Sequence, residues 1–264
     1  RIPVEAENGM VASSHYLASE AGVEILEKGG NAIDASIATA FTLAVTLPSA
    51  GNIGGGGFLL YKPNADKATG FNFREKAPQK ATKTMFLGED GKVKDNSNHE
   101  TTLSAGVPGT VAGLFQAHSK YGKLDWASLV QPAIDLAQYG FTVYPDLARF
   151  SEWVYDNKEG YSITATVFLN SNGEAYQTGD TIIQKDLAES LIRIRNHGAE
   201  GFYSGKTAQL IHDFMKKTGG IISKSDLTGY ESEEVEPLVG TYRGNEIIGM
   251  PPPSSGGTAI IEML

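Results

Sequence analysis

Four consecutive glycines, residues 54–57, constrain the fold of this chain more than any other feature of its sequence. Without Cβ atoms, a backbone can pack directly against another backbone or a buried partner. The run follows a helical pattern and precedes the predicted strand FLLY, whereas glycine-rich loops that bind phosphate follow a strand and precede a helix. The quartet therefore predicts close packing of strand and helix backbones rather than a phosphate site.

The next predicted strand carries an arginine with two possible roles. In the segment FNFRE (residues 71–75), alternation places Phe71 and Phe73 on one face and Asn72 and Arg74 on the other. A guanidinium group forms a rigid fork that matches a carboxylate. Arg74 is therefore a candidate for binding an acidic ligand, and the alternative is a structural pair with an acid such as Glu75.

Composition narrows the classes of partner and site. The net charge of −9 and the pI of about 5.1 argue against nucleic acid and anionic membranes as partners. The absence of cysteine excludes disulfides, thiolate metal sites and a cysteine nucleophile. The longest apolar stretch, residues 32–47, contains Asp34 and several hydroxyl side chains, so it predicts a buried helix and no membrane span. Because the chain begins at Arg1 without a leader pattern, we expect an upstream segment to have been removed or the chain to be a fragment.

Periodicity predicts strands near both ends of the chain and helices between them. Gly29 and Gly30 end a first helix, and Asn31 caps a second, with Asp34 in its first turn. We expect one interleaved α+β layered domain over residues 1–264. The predicted helices cover residues 17–26, 32–47, 111–118, 124–139, 147–155, 184–196 and 206–217, with a last one from 258 onward. The predicted strands lie within residues 8–14, 58–61, 70–74, 235–240 and 242–250. We expect a turn at residues 63–66, an exposed loop at 88–100 and irregular chain at 161–179.

The residues that usually carry chemistry form no recognisable constellation. The five histidines are scattered without an HExxH pair, so we expect no metal site, and no GxSxG nucleophile elbow is present. The hydroxyl pairs at 101–102 and 254–255 have no evident base, and Ser254 or Ser255 is a better candidate for a helix cap. The acidic run at 231–236 is typical of a solvated face. We expect no cofactor.

Several motifs together resemble the γ-glutamyltransferase (γ-glutamyltranspeptidase) family of N-terminal-nucleophile (Ntn) hydrolases. Each motif alone is weak, but they occur in the family's order with compatible spacing over essentially the whole chain. They are NGMVAS at 8–13, LEKGGNAIDA at 26–35, AGNIGGGGF at 50–58, FREKAP at 73–78, GVPGTVAG at 106–113 and MPPPSSGG at 250–257.

The resemblance implies a specific chemistry. Family members fold as one precursor into a four-layer αββα sandwich that cuts itself into a large and a small subunit. The new N-terminal threonine of the small subunit attacks the γ-carbonyl of a γ-glutamyl compound such as glutathione, and its α-amine serves as general base. Water or an amino-acid or peptide acceptor then resolves the γ-glutamyl-enzyme. By resemblance, Arg74 corresponds to the arginine that binds the α-carboxylate of the glutamyl group.

The chain also departs from the family pattern. The catalytic threonine is absent, since Thr101 and Thr102 lie in the wrong place with the wrong neighbours. The resemblance therefore implies a large subunit without its C-terminal part, no catalytic residue in this chain, and a heterodimer with a small subunit that begins with threonine. It also implies a periplasmic or secreted location.

Three alternatives remain open. Two lie within the family: an acylase acting on glutaryl or cephalosporin side chains, and a poly-γ-glutamate transferase. The third is a non-catalytic binding paralogue.

Overall fold

A computed structural model describes residues 5–64 and 66–264 of the chain. Arg1, from which an upstream segment was inferred, and Ala65, in the predicted turn at 63–66, lie outside the described residues. The chain divides into two compact units, each built from two separate stretches of sequence. The first unit comprises residues 1–52 and 121–198, and the second comprises residues 53–120 and 199–264. That residues 1–264 form a single domain stays a prediction.

The first unit is mainly helical. Its elements are α1 (Tyr16–Glu27), α2 (Ala32–Thr46), α4 (Trp126–Tyr139), β3 (Phe141–Thr142), α5 (Pro145–Asp156), α6 (Ser162–Phe168), β4 (Thr181–Ile182) and α7 (Lys185–His197). In the core of this unit, α2 packs against α1 and α4, and α4 packs against α7, around the fully buried Ile25, Ile37, Phe41 and Leu129. A two-stranded antiparallel ladder joins β3 to β4.

The junction between α1 and α2 follows the local sequence signals. Gly29 adopts a φ of +88°, which glycine tolerates best. The Asn31 side chain accepts hydrogen bonds from the N–H groups of Ile33 and Asp34, and the Asp34 carboxylate accepts one from the Asn31 N–H, which completes a capping box. The predicted cap and the predicted acidic first turn are both confirmed.

The second unit combines sheet and helices. Its elements are β1 (Phe58–Tyr61), β2 (Thr69–Asn72), a 3-10 turn (Thr102–Ser104), α3 (Thr110–Tyr121, whose last residue falls in the first unit), α8 (Glu200–Tyr203), α9 (Gly205–Thr218), α10 (Lys224–Thr228), β5 (Glu233–Val235), β6 (Leu238–Tyr242), β7 (Asn245–Gly249) and α11 (Ser255–Met263). A three-stranded antiparallel sheet has the order β1-β2-β5, and β6 and β7 form a separate hairpin.

Two predictions were wrong, and a third misplaced a turn. The strand predicted within residues 8–14 is coil: it joins no ladder in the described chain, and Met10 is exposed. The segment predicted to be irregular at 161–179 contains α6, where the Phe168 ring packs edge-on against Phe150 and tertiary contact overrides a β-branched sequence. The hairpin turn lies at Arg243 and Gly244, with φ of +48° and +80°, rather than before Tyr242.

The strand predicted at 235–240 is divided in the structure between the end of β5 at Val235 and the start of β6 at Leu238, and Pro237, which has no N–H to donate to a ladder, lies in the break. The other predicted helices and strands are confirmed within a few residues, and the content is mixed helix and sheet as expected. Among the described residues, none of the helices combines the length and apolar character needed to cross a bilayer.

Candidate functional site

The candidate site is built around Phe73, just beyond the end of β2. The N–H of Phe73 donates to the Gly57 carbonyl at 3.1 Å, and the N–H of Gly57 donates to the Phe73 carbonyl at 3.2 Å. The pairing of β1 with β2 therefore continues into the glycine quartet. The Phe73 side chain is only 6% exposed, so it anchors this end of the sheet in the core of the unit.

The glycine quartet packs as its sequence predicts. A Cβ at Gly57 would lie 2.9 Å from the Phe73 ring, and one at Gly56 would overlap the Phe73 carbonyl oxygen. The Gly55 carbonyl accepts hydrogen bonds from the N–H groups of Gly109 (2.7 Å) and Thr110 (3.1 Å) at the start of α3. The backbone of the quartet thus contacts a strand on one side and a helix N-terminus on the other, which confirms the packing interpretation.

Further hydrogen bonds fix the backbone on both sides of Arg74. Its N–H donates to Asn72 Oδ1 at 3.1 Å, and its carbonyl accepts from the Tyr230 hydroxyl at 2.8 Å. Two residues later, Lys76 exchanges a pair of backbone hydrogen bonds with Val107, at 3.2 and 2.8 Å. The main chain that carries Arg74 is therefore held by the sheet, by the residues before α3 and by Tyr230.

The Arg74 side chain, in contrast, is held loosely. It is 56% exposed, its Nε lies 3.5 Å from Glu75 Oε2, and its Cζ lies 5.9 Å from the centre of the Phe58 ring. The structural pair with Glu75 therefore exists, but an exposed ion pair at this distance contributes about 0–1 kcal/mol. Because its backbone is fixed and its guanidinium is exposed, Arg74 can bind a carboxylate from outside the chain.

Two tyrosines that sequence reasoning missed support this backbone. The rings of Tyr203 and Tyr230 stack with centroids 5.7 Å apart and an interplanar angle of 6°. The Tyr203 hydroxyl donates to the Pro108 carbonyl at 2.8 Å and accepts from the Ala112 N–H at 3.3 Å. No sequence motif marked either tyrosine, because each acts on a partner about 90 residues or more away in the chain.

Both hydroxyls are held in the protonated form. Burial raises the pKa of Tyr203; the hydrogen bond from the Ala112 N–H offsets part of this increase, and Tyr230 adds a smaller increase. Burial also raises the pKa of Tyr230, and the charges of Glu75 and Glu233 raise it further. The Tyr230 hydroxyl is therefore a stable donor toward Arg74 at neutral pH.

Three of the hydroxyls noted in the sequence, those of Thr101, Thr102 and Ser254, have structural partners. Thr101 Oγ1 donates to the Ser97 carbonyl at 2.8 Å, and Thr102 Oγ1 donates to the Thr218 carbonyl at 2.9 Å. Ser254 accepts from the Gly256 N–H at 3.4 Å and caps α11, as predicted.

The acidic run lies on an exposed face. Lys76 Nζ lies 2.9 Å from Glu233 Oε1, and Glu234 forms an ion pair with Lys120. Within residues 5–64 and 66–264, no group of three or more His, Asp or Glu side chains is placed to hold a metal ion.

Comparison with known proteins identifies the family. The sequence model of the family described as Gamma-glutamyltranspeptidase matches residues 18–264. The chain belongs to the γ-glutamyltranspeptidase family. This is the Ntn-hydrolase family that the motifs resemble, so the sequence-based assignment is confirmed.

Curated relatives of the chain include proenzymes from two bacteria. It is 44% identical to the glutathione hydrolase proenzyme of Escherichia coli (strain K12), covering 99% of this chain and 45% of that protein. It is 45% identical to the glutathione hydrolase proenzyme of Bacillus subtilis (strain 168), covering 98% of this chain and 44% of that protein. The chain thus spans about half the length of the curated relatives it matches.

Solved structures of relatives share the fold. The γ-glutamyltranspeptidase of Helicobacter pylori superposes with a TM-score of 0.96 at 46% identity, covering 99% of this chain and 75% of that one. A cephalosporin acylase from Bacillus halodurans superposes with a TM-score of 0.79 at 32% identity, covering 96% of this chain and 49% of that one.

Proposed function

We propose that this chain is the large-subunit part of an enzyme that transfers and hydrolyses γ-glutamyl compounds such as glutathione, with Arg74 binding the α-carboxylate of the γ-glutamyl donor. The observation that carries the proposal is the contrast at Arg74, whose backbone is fixed while its guanidinium is exposed and weakly paired with Glu75. A bidentate bond to a carboxylate in a site closed by a second chain would be stronger than the exposed contact to Glu75.

The catalytic residues belong, in this proposal, to a small subunit cut from the same precursor. Its N-terminal threonine attacks the γ-carbonyl of the donor and the C–N bond breaks, so that the amine of the donor leaves. An amino acid, a peptide or water then takes the γ-glutamyl group from the threonine, which regains its hydroxyl. The names of the curated relatives support a second chain, since they are called proenzymes. We propose that together the two chains complete a four-layer αββα sandwich, with residues 1–264 as a single domain of the large subunit.

The location is also part of the proposal. We infer a periplasmic or secreted enzyme, because the family resemblance implies export. Fractionation of cells that express the complete gene tests this: activity confined to the cytoplasm would contradict it.

An acylase is the second candidate, and specific similarities favour considering it. The chain is 39% identical to a protein named acylase ACY 1 proenzyme from Pseudomonas sp. (strain V22), in addition to its similarity to the cephalosporin acylase. A glutaryl group offers Arg74 a terminal carboxylate but has no α-amine. The complete protein should therefore be assayed with both γ-glutamyl-p-nitroanilide and a glutaryl amide, and turnover of the glutaryl substrate alone would favour the acylase.

Maturation and substitution of Arg74 test the transferase proposal. We expect the complete protein to mature into two chains, the smaller beginning with threonine, whereas a non-catalytic paralogue would remain one band on a gel. Arg74→Ala and Arg74→Lys should raise the KM for γ-glutamyl-p-nitroanilide by the equivalent of about 2–3 kcal/mol, since each removes a charged fork. Arg149→Lys, an exposed arginine in the other unit, is the matched control. An unchanged KM in both Arg74 variants would remove Arg74 from the site.

A further inference from the structure

Tyr230 lies at the point where the backbone of Arg74 is tied to a distant part of the chain. The residue follows α10, is only 8% exposed, and donates its hydroxyl to the Arg74 carbonyl at 2.8 Å. The two residues are 156 positions apart in sequence. The bond therefore links the end of the β1-β2 pair to the polypeptide that leads from α10 into β5.

The position of the Tyr230 ring is itself fixed. It stacks in parallel on the Tyr203 ring. The Nζ of Lys76 lies 5.4 Å from the centre of the Tyr230 ring and forms a cation–π contact with it. A Cβ at Gly109 would overlap the Tyr230 hydroxyl oxygen, so the glycine leaves the space that this hydroxyl occupies. A ring held on several sides can aim its hydroxyl at a single carbonyl.

We infer that Tyr230 is a positioning residue for Arg74: its hydroxyl fixes the peptide that follows Arg74 and so directs the guanidinium toward the carboxylate of the donor. This inference rests on the proposed function. The peptide between Arg74 and Glu75 begins at the carbonyl that accepts this bond, and the N–H on the other side of the Arg74 Cα donates to Asn72 Oδ1 at 3.1 Å. The two bonds together restrain the Cα and the direction in which the side chain leaves it. Neighbouring pairs of backbone bonds at Phe73 and Lys76 hold the flanking residues but not this peptide plane.

The kinetic signature of a positioning role differs from that of a catalytic group. The α-carboxylate keeps its charge throughout γ-glutamyl transfer, so its bond to Arg74 is of similar strength in the ground state and in the transition state. Loss of such uniform binding raises KM and leaves kcat nearly unchanged.

The test is Tyr230→Phe in the complete two-subunit protein, assayed with γ-glutamyl-p-nitroanilide. Phenylalanine keeps the stacked ring and removes only the hydroxyl, so we expect normal maturation. KM should rise by roughly three- to tenfold, the range expected for one neutral hydrogen bond, with kcat within about twofold of wild type. Tyr242→Phe removes a hydroxyl from a half-buried tyrosine on β6 of the same unit and is the matched control.

A double-mutant cycle separates positioning from a general loss of stability. When Arg74 is already alanine, Tyr230→Phe should leave KM unchanged, because no guanidinium remains to be directed. A KM for Tyr230→Phe equal to that of wild type, or an equal rise with and without Arg74, would overturn the inference. If the proposed function itself is wrong, the result is different: the wild-type protein does not turn over the γ-glutamyl substrate.

Discussion

The side chain of Phe73 lies directly against the backbone of Gly113 in α3, so that a Cβ at Gly113 would overlap both the ring and the Cβ of Phe73. Alanine normally stabilises an exposed helix relative to glycine by about 1 kcal/mol. Here the overlap involves the rigid base of the phenylalanine side chain, and overpacking of a core costs about 1–3 kcal/mol.

We therefore predict that Gly113→Ala lowers the free energy of unfolding by about 2 kcal/mol. The matched control is Gly256→Ala in α11, where a Cβ would meet only Ser254 Oγ at 3.7 Å. Urea unfolding of the complete protein measures both. Equal stability of the two variants would show that Phe73 moves aside without cost.

The buried carboxylate of Asp34 supports a second prediction. Besides capping α2, it accepts hydrogen bonds from the N–H groups of Lys123 (3.0 and 3.1 Å) and Leu124 (3.3 Å), and it is fully buried. Asn keeps one acceptor oxygen but turns an amide donor toward backbone donors. Asp34→Asn should lower the free energy of unfolding by about 3 kcal/mol.

The control for Asp34 is Asp125→Asn, at the exposed N-cap of α4, where asparagine caps as well as aspartate does. Chemical denaturation should show little change there. If the free energy of unfolding falls by the same amount in both variants, the hydrogen bonds that Asp34 accepts from Lys123 and Leu124 contribute little to stability.

Local patterns predicted the parts of the fold that adjacent residues determine. Gly29, Asn31 and Asp34 set the junction of α1 and α2 within a few positions, and each signal holds in the structure. The glycine quartet likewise predicted close packing. The same patterns failed for α6, whose β-branched residues do not favour a helix and whose Phe168 ring contacts Phe150 of α5.

In the candidate site, too, the features set by adjacent residues could be predicted and those set by distant contacts could not. Alternation along FNFRE placed Arg74 opposite the buried Phe73, and a carboxylate-binding role followed from the chemistry of arginine. The bond from Tyr230 could not be predicted, because nothing in a single sequence links two residues 156 positions apart. The stacking of Tyr203 on Tyr230 could not be predicted either, because no local pattern connects the two residues.

Burial of His15 predicts a dependence of stability on pH. Its Nδ1 accepts from the Leu17 N–H at 3.3 Å and caps α1, while Nε2 is shielded from solvent without a hydrogen-bond partner among the described residues. The rings of Tyr16, Phe141 and Tyr144 surround the imidazole. Burial lowers the pKa of His15 below its ordinary value of 6.5, and the nearby charge of Asp146 offsets only part of this effect.

As the pH falls below 6.5, the unfolded chain therefore binds a proton at this histidine before the folded chain does. This contribution to stability is complete above that value and decreases as the pH falls through the lower pKa of the folded state. His15→Asn keeps a helix cap without titrating, so its stability should fall less steeply than that of wild type between about pH 7 and 5. The midpoints of urea unfolding of wild type and His15→Asn, measured across this pH range, test the prediction. His99→Asn, on the exposed surface, is the control. Parallel curves for wild type and His15→Asn would contradict the prediction.

The contact between Glu75 and Arg74 predicts competition with the donor. Glu75 Oε2 lies 3.5 Å from Arg74 Nε, and both side chains are substantially exposed, so a donor carboxylate must displace or share this partner. Glu75→Gln removes the competing charge, and since such an exposed pair contributes about 0–1 kcal/mol, KM for γ-glutamyl-p-nitroanilide should fall by up to about fivefold. The effect should shrink at high salt, which screens exposed charges. Glu236→Gln makes the same charge change on the exposed acidic run and should leave KM nearly unaltered. A higher KM in Glu75→Gln would instead mean that Glu75 orients the guanidinium for the donor.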